Sequence, residues 1–357
     1  MKLLSIHYLR GIAALLVVVA HNSFLLSGEW VKNIPGALGV DIFFIISGFI
    51  ITLATQKSSI TPVSFIIKRF FRIWPVFFIT WLLACLFVYR DQPLGTMINA
   101  LLFGLQDYTR PGPGFGNSML GPPWTLTYEL LFYLLFGLSM MISYRYRSYV
   151  CAGIILASTV GLQLAVNGDF ALASQISPQI TVTHWWQAIL KVAGNTILYE
   201  FIFGMLLAEA YLHRIVSKEV QWPRVISVIA LIAAPFAAFI IGPQKFGMYG
   251  GFWLAALILL AAIISDYYRP TKEIPLMMFF GDISYSLYLV HFSLRIFILR
   301  FLPENTTAGQ NILIFIFLML CSILLATLFF HFIEKPGIKL GHRIAEKMRF
   351  EEQRVNS

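Results

Sequence analysis

The stretch LRGIAALLVVVAHN, Leu9 to Asn22, decides how the rest of the chain is read. It is apolar enough to belong to a membrane-spanning helix, yet Arg10 stands near one end and His21 near the other. On an α-helix these positions are separated by about 16 Å of rise and by three turns plus about 20°, so both side chains leave the same face. One side of this helix therefore carries a line of polar chemistry.

Of the 357 residues, 58% are hydrophobic and only 12% charged, and apolar runs recur along nearly the whole chain. A soluble domain of this size needs far more charge to cover its surface, so the composition describes an all-α, polytopic membrane protein. The first run lacks a small-residue cleavage site and reads as a retained helix rather than a signal peptide. Cys85, Cys151 and Cys321 are odd in number, far apart and set in apolar segments; they predict small buried hydrophobes rather than a disulfide or a metal site.

Ten spans are expected: Tyr8 to Leu26, Gly36 to Thr55, Ile73 to Tyr89, Trp124 to Ser143, Tyr149 to Val166, Gly194 to Leu212, Val225 to Ile241, Met248 to Ser265, Leu276 to Leu299 and Ile312 to Ile333. The run from Leu94 to Gln106 is too short to cross about 30 Å of hydrocarbon and reads as an interfacial or re-entrant piece. With the N-terminus inside, nineteen Lys and Arg fall on the cytoplasmic side, among them Lys2, Lys57, Arg214 and Lys218, and seven on the other. That bias predicts both termini in the cytoplasm and turns the net charge of +9 into a topology signal, not a sign of nucleic acid. Residues 1–336 form one membrane domain and 337–357 a cytoplasmic tail. On the far side, RPGPGFGNSMLGPP, Arg110 to Pro123, is an ordered loop over a cavity mouth, a flexible lid or a solvated linker.

Counting rise along these spans puts His21, Asp41, Glu129 and His291 at similar depth in the outer leaflet. Ionisable groups there cost a few kcal/mol each if they face lipid, so they either pair with one another or line a site, with Asn22 beside His21. Nearer the cytoplasm, FIIKRFFRIWP sets Lys68, Arg69 and Arg72 just ahead of the third span, with Arg10 close to the same depth. The cluster serves as an ordinary membrane anchor or as a phosphate site, since guanidinium forks bind phosphate oxygens in pairs.

The motifs LRGIAALLVVVAHN, GVDIFFIISGFIIT, KRFFRIWPVFF, PPWTLTYELLFY, GDISYSLYLVH and FIEKP follow one another in the order, and at about the separations, found in acyltransferase family 3, which this chain resembles from Leu9 to Pro336. The resemblance implies transfer of an acyl group, commonly acetyl from acetyl-CoA or another acyl-CoA, to a hydroxyl of an extracytoplasmic carbohydrate, free or lipid-linked. It maps the family's Arg-x10-His pair onto Arg10 and His21, its basic motif onto Arg69 and Arg72, and its Trp-x4-Glu motif onto Trp124 and Glu129. Thr125 stands where serine is frequent. Together these readings give His21 as general base, Asp41 or Glu129 as the group that orients it, Arg10, Lys68, Arg69 and Arg72 as the donor-phosphate set, and Asn22, Trp124, Tyr133 and His291 as candidates for binding the acceptor. A transporter or flippase of a lipid-linked glycan is the alternative, since buried charge suits it equally; its hallmark, corresponding broken helices in two halves, is not found in the sequence.

Overall fold

The computed structural model describes residues 3–56, 60–213, 222–242, 245–303 and 306–355, so Lys2, Lys57, Arg214 and Lys218, which entered the charge count, lie outside the described residues. Among the described residues there is no β-ladder beyond one isolated bridge between Ser118 and Gly121. The helices are α1 (Leu4–Asn22), α2 (Gly36–Ala54), α3 (Pro62–Phe87), α4 (Leu94–Leu101), α5 (Trp124–Ile142), α6 (Arg147–Asn167), α7 (Trp185–Ala193), α8 (Tyr199–Leu212), α9 (Trp222–Ile241), α10 (Phe252–Tyr268), α11 (Pro275–Leu299), α12 (Ala308–Phe329) and α13 (Lys335–Val355).

Each of the ten expected runs falls on helix. Among the described residues, eight helices are long and apolar enough to cross a membrane; α7 and the Thr196–Leu212 segment make a ninth span only as a pair bent by 55°, and α10 is a shorter apolar helix. The run from Leu94 forms the eight-residue α4 and stops there, held by the indole of Trp81, which donates to the Met97 carbonyl.

The third span departs from expectation at its start. It begins at Pro62 rather than Ile73, because Thr61 caps it by accepting from the Ser64 amide and Pro62 supplies a first-turn residue that needs no donor. Arg69 and Arg72 therefore stand about 11 and 15 Å along the helix instead of ahead of it. At the other end of the chain, the segment 337–357, expected as a tail, is helical to Val355. α13 packs along α3, with Gly337 against the Phe71 carbonyl and Pro75, and Gly341 against the Phe71 side chain. Between α12 and α13 the π-helical turn Phe330–Glu334 fits an extra residue into the helix and turns Glu334 inward, where it is buried.

The loop from Arg110 to Pro123 is packed rather than solvated: Phe115, Met119 and Leu120 are buried in it. Tyr128 donates to the Pro113 carbonyl and Tyr288 to the Pro122 carbonyl, which ties the loop to α5 and α11. At its outer edge, hydrogen bonds from the Thr109 hydroxyl and amide hold the Asp107 carboxyl below its ordinary range.

Two close crossings set the core. On α1 and α11, a Cβ at Gly11 would lie 2.7 Å from the Phe280 carbonyl carbon, and one at Gly281 would lie 2.4 Å from the His7 ring. On α2 and α8, a Cβ at Gly48 would lie 2.2 Å from the Phe201 carbonyl oxygen and one at Gly204 2.0 Å from that of Ile45. Small residues let apolar helices approach backbone to backbone, which is the main source of packing energy where no hydrophobic effect drives association. Gly204→Ala should therefore cost about 1–3 kcal/mol and lower the thermal midpoint of the purified protein in detergent. An unchanged midpoint would contradict so close a crossing.

Candidate active site

Three guanidinium groups converge inside the bundle. α1 contributes Arg10, and α3 contributes Arg69 and Arg72, three apart on one face. They line a cavity of 80 Å³ with Ser47 of α2, Thr125, Glu129 and Tyr133 of α5, and Tyr285 and Tyr288 of α11. Glu129 and Tyr133, four apart on α5, share a face: the Tyr133 hydroxyl donates to Glu129 Oε1, as does Ser47 Oγ at 3.0 Å.

Arg10 donates to Ser284 Oγ at 3.1 Å, while the Arg69 guanidinium sits 5.6 Å from the Phe65 ring and 5.8 Å from that of Tyr133. Buried Glu334 accepts from Ser286 Oγ at 2.6 Å and faces Arg72 and Arg10 through space. Among the described residues no carboxylate comes within 4.0 Å of these three arginines, and Arg69 Nε is buried without a partner. Three cations against two acids, held apart, leave an anion-attracting site in an apolar bundle.

A second cavity of 310 Å³ shares Arg10 and Ile50 with the first and is lined by Leu3, Ile6 and His7 of the α1 end of the bundle and by Leu53 and Ala54 of α2. Lys68 lines neither cavity. Tyr133 belongs to the arginine cavity rather than to the neighbourhood of His21.

His21 occupies the other end of α1. Its Nδ1 lies 3.1 Å from Nε2 of His291, which is wholly buried on α11, and Phe292 stands edge-on to its ring at 5.4 Å. Arg295 donates to the His21 carbonyl and lies over the Phe292 ring at 4.3 Å. The expectation that Asp41 or Glu129 orients His21 does not match this geometry, since the group on its ring is an imidazole. The two acids and two histidines placed at one depth by counting rise are distributed laterally over different partners, which depth alone does not reveal.

Asp41 accepts from the Gly247 amide at 3.4 Å and lies near Glu200 of α8; both are fully buried, and Asp41 Oδ2 and both Glu200 carboxyl oxygens have no hydrogen-bond partner among the described residues. Asn22 donates to the Val18 carbonyl at 2.8 Å and its buried Oδ1 has no partner among the described residues. Trp124 packs edge-on against Phe44, Tyr128 and Phe246 rather than lining the cavity.

Tyr288 belongs to both regions. It lines the arginine cavity, its ring lies 6.2 Å from that of His291, and its hydroxyl accepts from Thr125 at 2.8 Å while donating to Pro122. Neither His21 nor His291 lines that cavity.

Glu334, Glu200, Arg295 and Tyr288 were not singled out from the sequence. Glu200, a lone acid in TILYEFIFGMLL, carries the same signal of membrane-depth charge as Asp41. Glu334 lies within FIEKP, but only the π turn shows that it faces inward.

A family model described as an acyltransferase domain matches residues 3–331. The chain belongs to acyltransferase family 3. The acyltransferase is 27% identical to the exopolysaccharide production protein ExoZ of Rhizobium meliloti over 72% of its own length and 75% of that relative. It is 26% identical to the acyltransferase MdmB of Streptomyces mycarofaciens over 72% of its length and 67% of the relative. With the O-acetyltransferase OatA of Staphylococcus aureus it shares 25% identity over 94% of its length, and the match spans 57% of OatA. No solved structure matches it.

Arg69→Ala should weaken binding of inorganic pyrophosphate, a bare diphosphate probe, by about tenfold in titration calorimetry, since one charge-assisted hydrogen bond contributes about 1.5–3 kcal/mol. Equal affinity in the two proteins would remove Arg69 from the anion site.

Proposed function

We propose that this acyltransferase moves an acyl group, acetyl first among them, from acyl-CoA to a hydroxyl of a carbohydrate on the far side of a bacterial cytoplasmic membrane. The acceptor is a surface polysaccharide or its lipid-linked precursor. The face where α1 begins is cytoplasmic, as the nineteen-to-seven distribution of basic residues indicates. Residues 1–336 act as one catalytic domain, with 337–357 as its cytoplasmic extension.

The observation that carries this reading is the convergence of Arg10, Arg69 and Arg72 without a carboxylate in contact. Guanidinium pairs grip phosphate oxygens in a bidentate fork, so the set suits the phosphates of coenzyme A. His21, about 16 Å along α1 from Arg10, lies within the span of a pantetheine arm and acts as the general base. A cavity of 80 Å³ has room for a few waters but not for that arm. Donor binding therefore requires the cavity to widen, with Tyr288, which lines it and lies 6.2 Å from the His291 ring, standing toward the histidines. Lys68, on the same helix as Arg69 and Arg72, adds positive charge without lining their cavity, and Asn22, Trp124 and His291 are assigned to the acceptor side.

The curated relatives support the acceptor class by name: ExoZ is an exopolysaccharide production protein and OatA an O-acetyltransferase. Free coenzyme A release from acetyl-CoA by the purified protein, with and without surface glycan, tests the proposal. Acceptor-dependent release is expected, and a glycan transporter would give none. His21→Ala should lower that rate about 100-fold or more while leaving pyrophosphate binding intact. Undiminished turnover in His21→Ala would end the assignment of the base.

A further inference from the structure

His21 has two ring nitrogens, and its surroundings decide which one carries the proton. The fixed point is the Leu287 carbonyl, which lies 3.1 Å from Nδ1 of His291, four residues later on α11. A carbonyl can only accept, so Nδ1 of His291 holds a hydrogen, and in a neutral ring Nε2 is left as an acceptor. That Nε2 lies 3.1 Å from Nδ1 of His21. The contact is a hydrogen bond only when Nδ1 of His21 donates.

The surroundings of the pair hold a cation and no acid among the described residues. His291 is fully buried, and Arg295 is the charged group that faces both imidazoles; no carboxylate does so among the described residues. The His291 contact thus favours the tautomer with Nδ1 of His21 protonated and the lone pair on Nε2.

We infer that His291 is a positioning residue: through the chain from the Leu287 carbonyl to His291 to His21 it fixes the His21 tautomer that leaves Nε2 free to take a proton. This deepens, and rests on, the reading of His21 as the base for acyl transfer. Nε2 takes the acceptor's hydroxyl proton as the C–O bond of the ester forms and the C–S bond of the thioester breaks. The same nitrogen returns that proton to the departing thiolate, so the step balances without a further reactant. In this arrangement a neutral imidazole does what a carboxylate does in a serine-hydrolase triad, fixing orientation without adding a negative charge.

Nitrogen NMR of the full-length protein labelled at histidine tests this without turnover, with the His21 signals identified by their loss in His21→Gln. The wild type should show His21 protonated at Nδ1. His291→Leu should lose that preference, and His291→Gln, whose amide oxygen can accept, should restore it. In acetyl-CoA turnover, His291→Leu should fall about 100-fold at unchanged donor KM, with His291→Gln recovering about tenfold of the loss. A wild-type His21 protonated at Nε2, an unchanged tautomer in His291→Leu, or equal loss in both variants overturns the inference. Failure of the acyl-transfer reading looks different: the wild type releases no coenzyme A whatever its tautomer.

Discussion

The close, parallel packing of α1 on α11 sets the polar pairs on which the proposed chemistry rests. Without a Cβ at Gly11 or Gly281 the two backbones meet, and residues then pair in step along both helices: His7 with Met278 and Asp282, Arg10 with Ser284, His21 with His291. The same register fixes both ends of the proposed chemistry. A side chain at either glycine would push α1 and α11 apart and disturb the Arg10–Ser284 and His21–His291 contacts together.

Charge placement follows from the cost of burying ions away from water. Groups in this bundle meet it differently: the histidines hydrogen-bond as a pair, Asp41 takes the Gly247 amide while Glu200 beside it has no hydrogen-bond partner among the described residues, and the arginines share a cavity with Glu129 and face Glu334 through space, neither acid in contact. In the arginine cavity the balance stays positive. An excess of positive charge in an enclosed space is the arrangement that an incoming polyanion neutralises, and it makes the empty bundle the less comfortable state.

Much of the fold was legible because hydropathy needs only composition. The ten apolar runs, the short piece at Leu94 and the polar face of the first helix all follow from periodicity and length, and the Arg10, Arg69 and Arg72 set was found from residue type and spacing. What escaped was lateral. Depth along a helix can be counted, but which neighbour a side chain meets depends on rotation and crossing, so Glu129 was grouped with His21 although it stands among the arginines. The start of α3 was missed because the charged stretch SFIIKRFFR depresses hydropathy exactly where the helix has already begun; the cap at Thr61 and Pro62 was the available signal.

The π turn at Phe330–Glu334 reaches beyond its own five residues. An added residue per turn shifts the phase of all that follows by about 100°, so the orientation of Glu334 toward Arg72 and the seat of α13 on α3 are set by one insertion. Donor-side electrostatics and the docking of the terminal helix are thereby locked in phase: the chain cannot retune one by sequence drift in that turn without unseating the other.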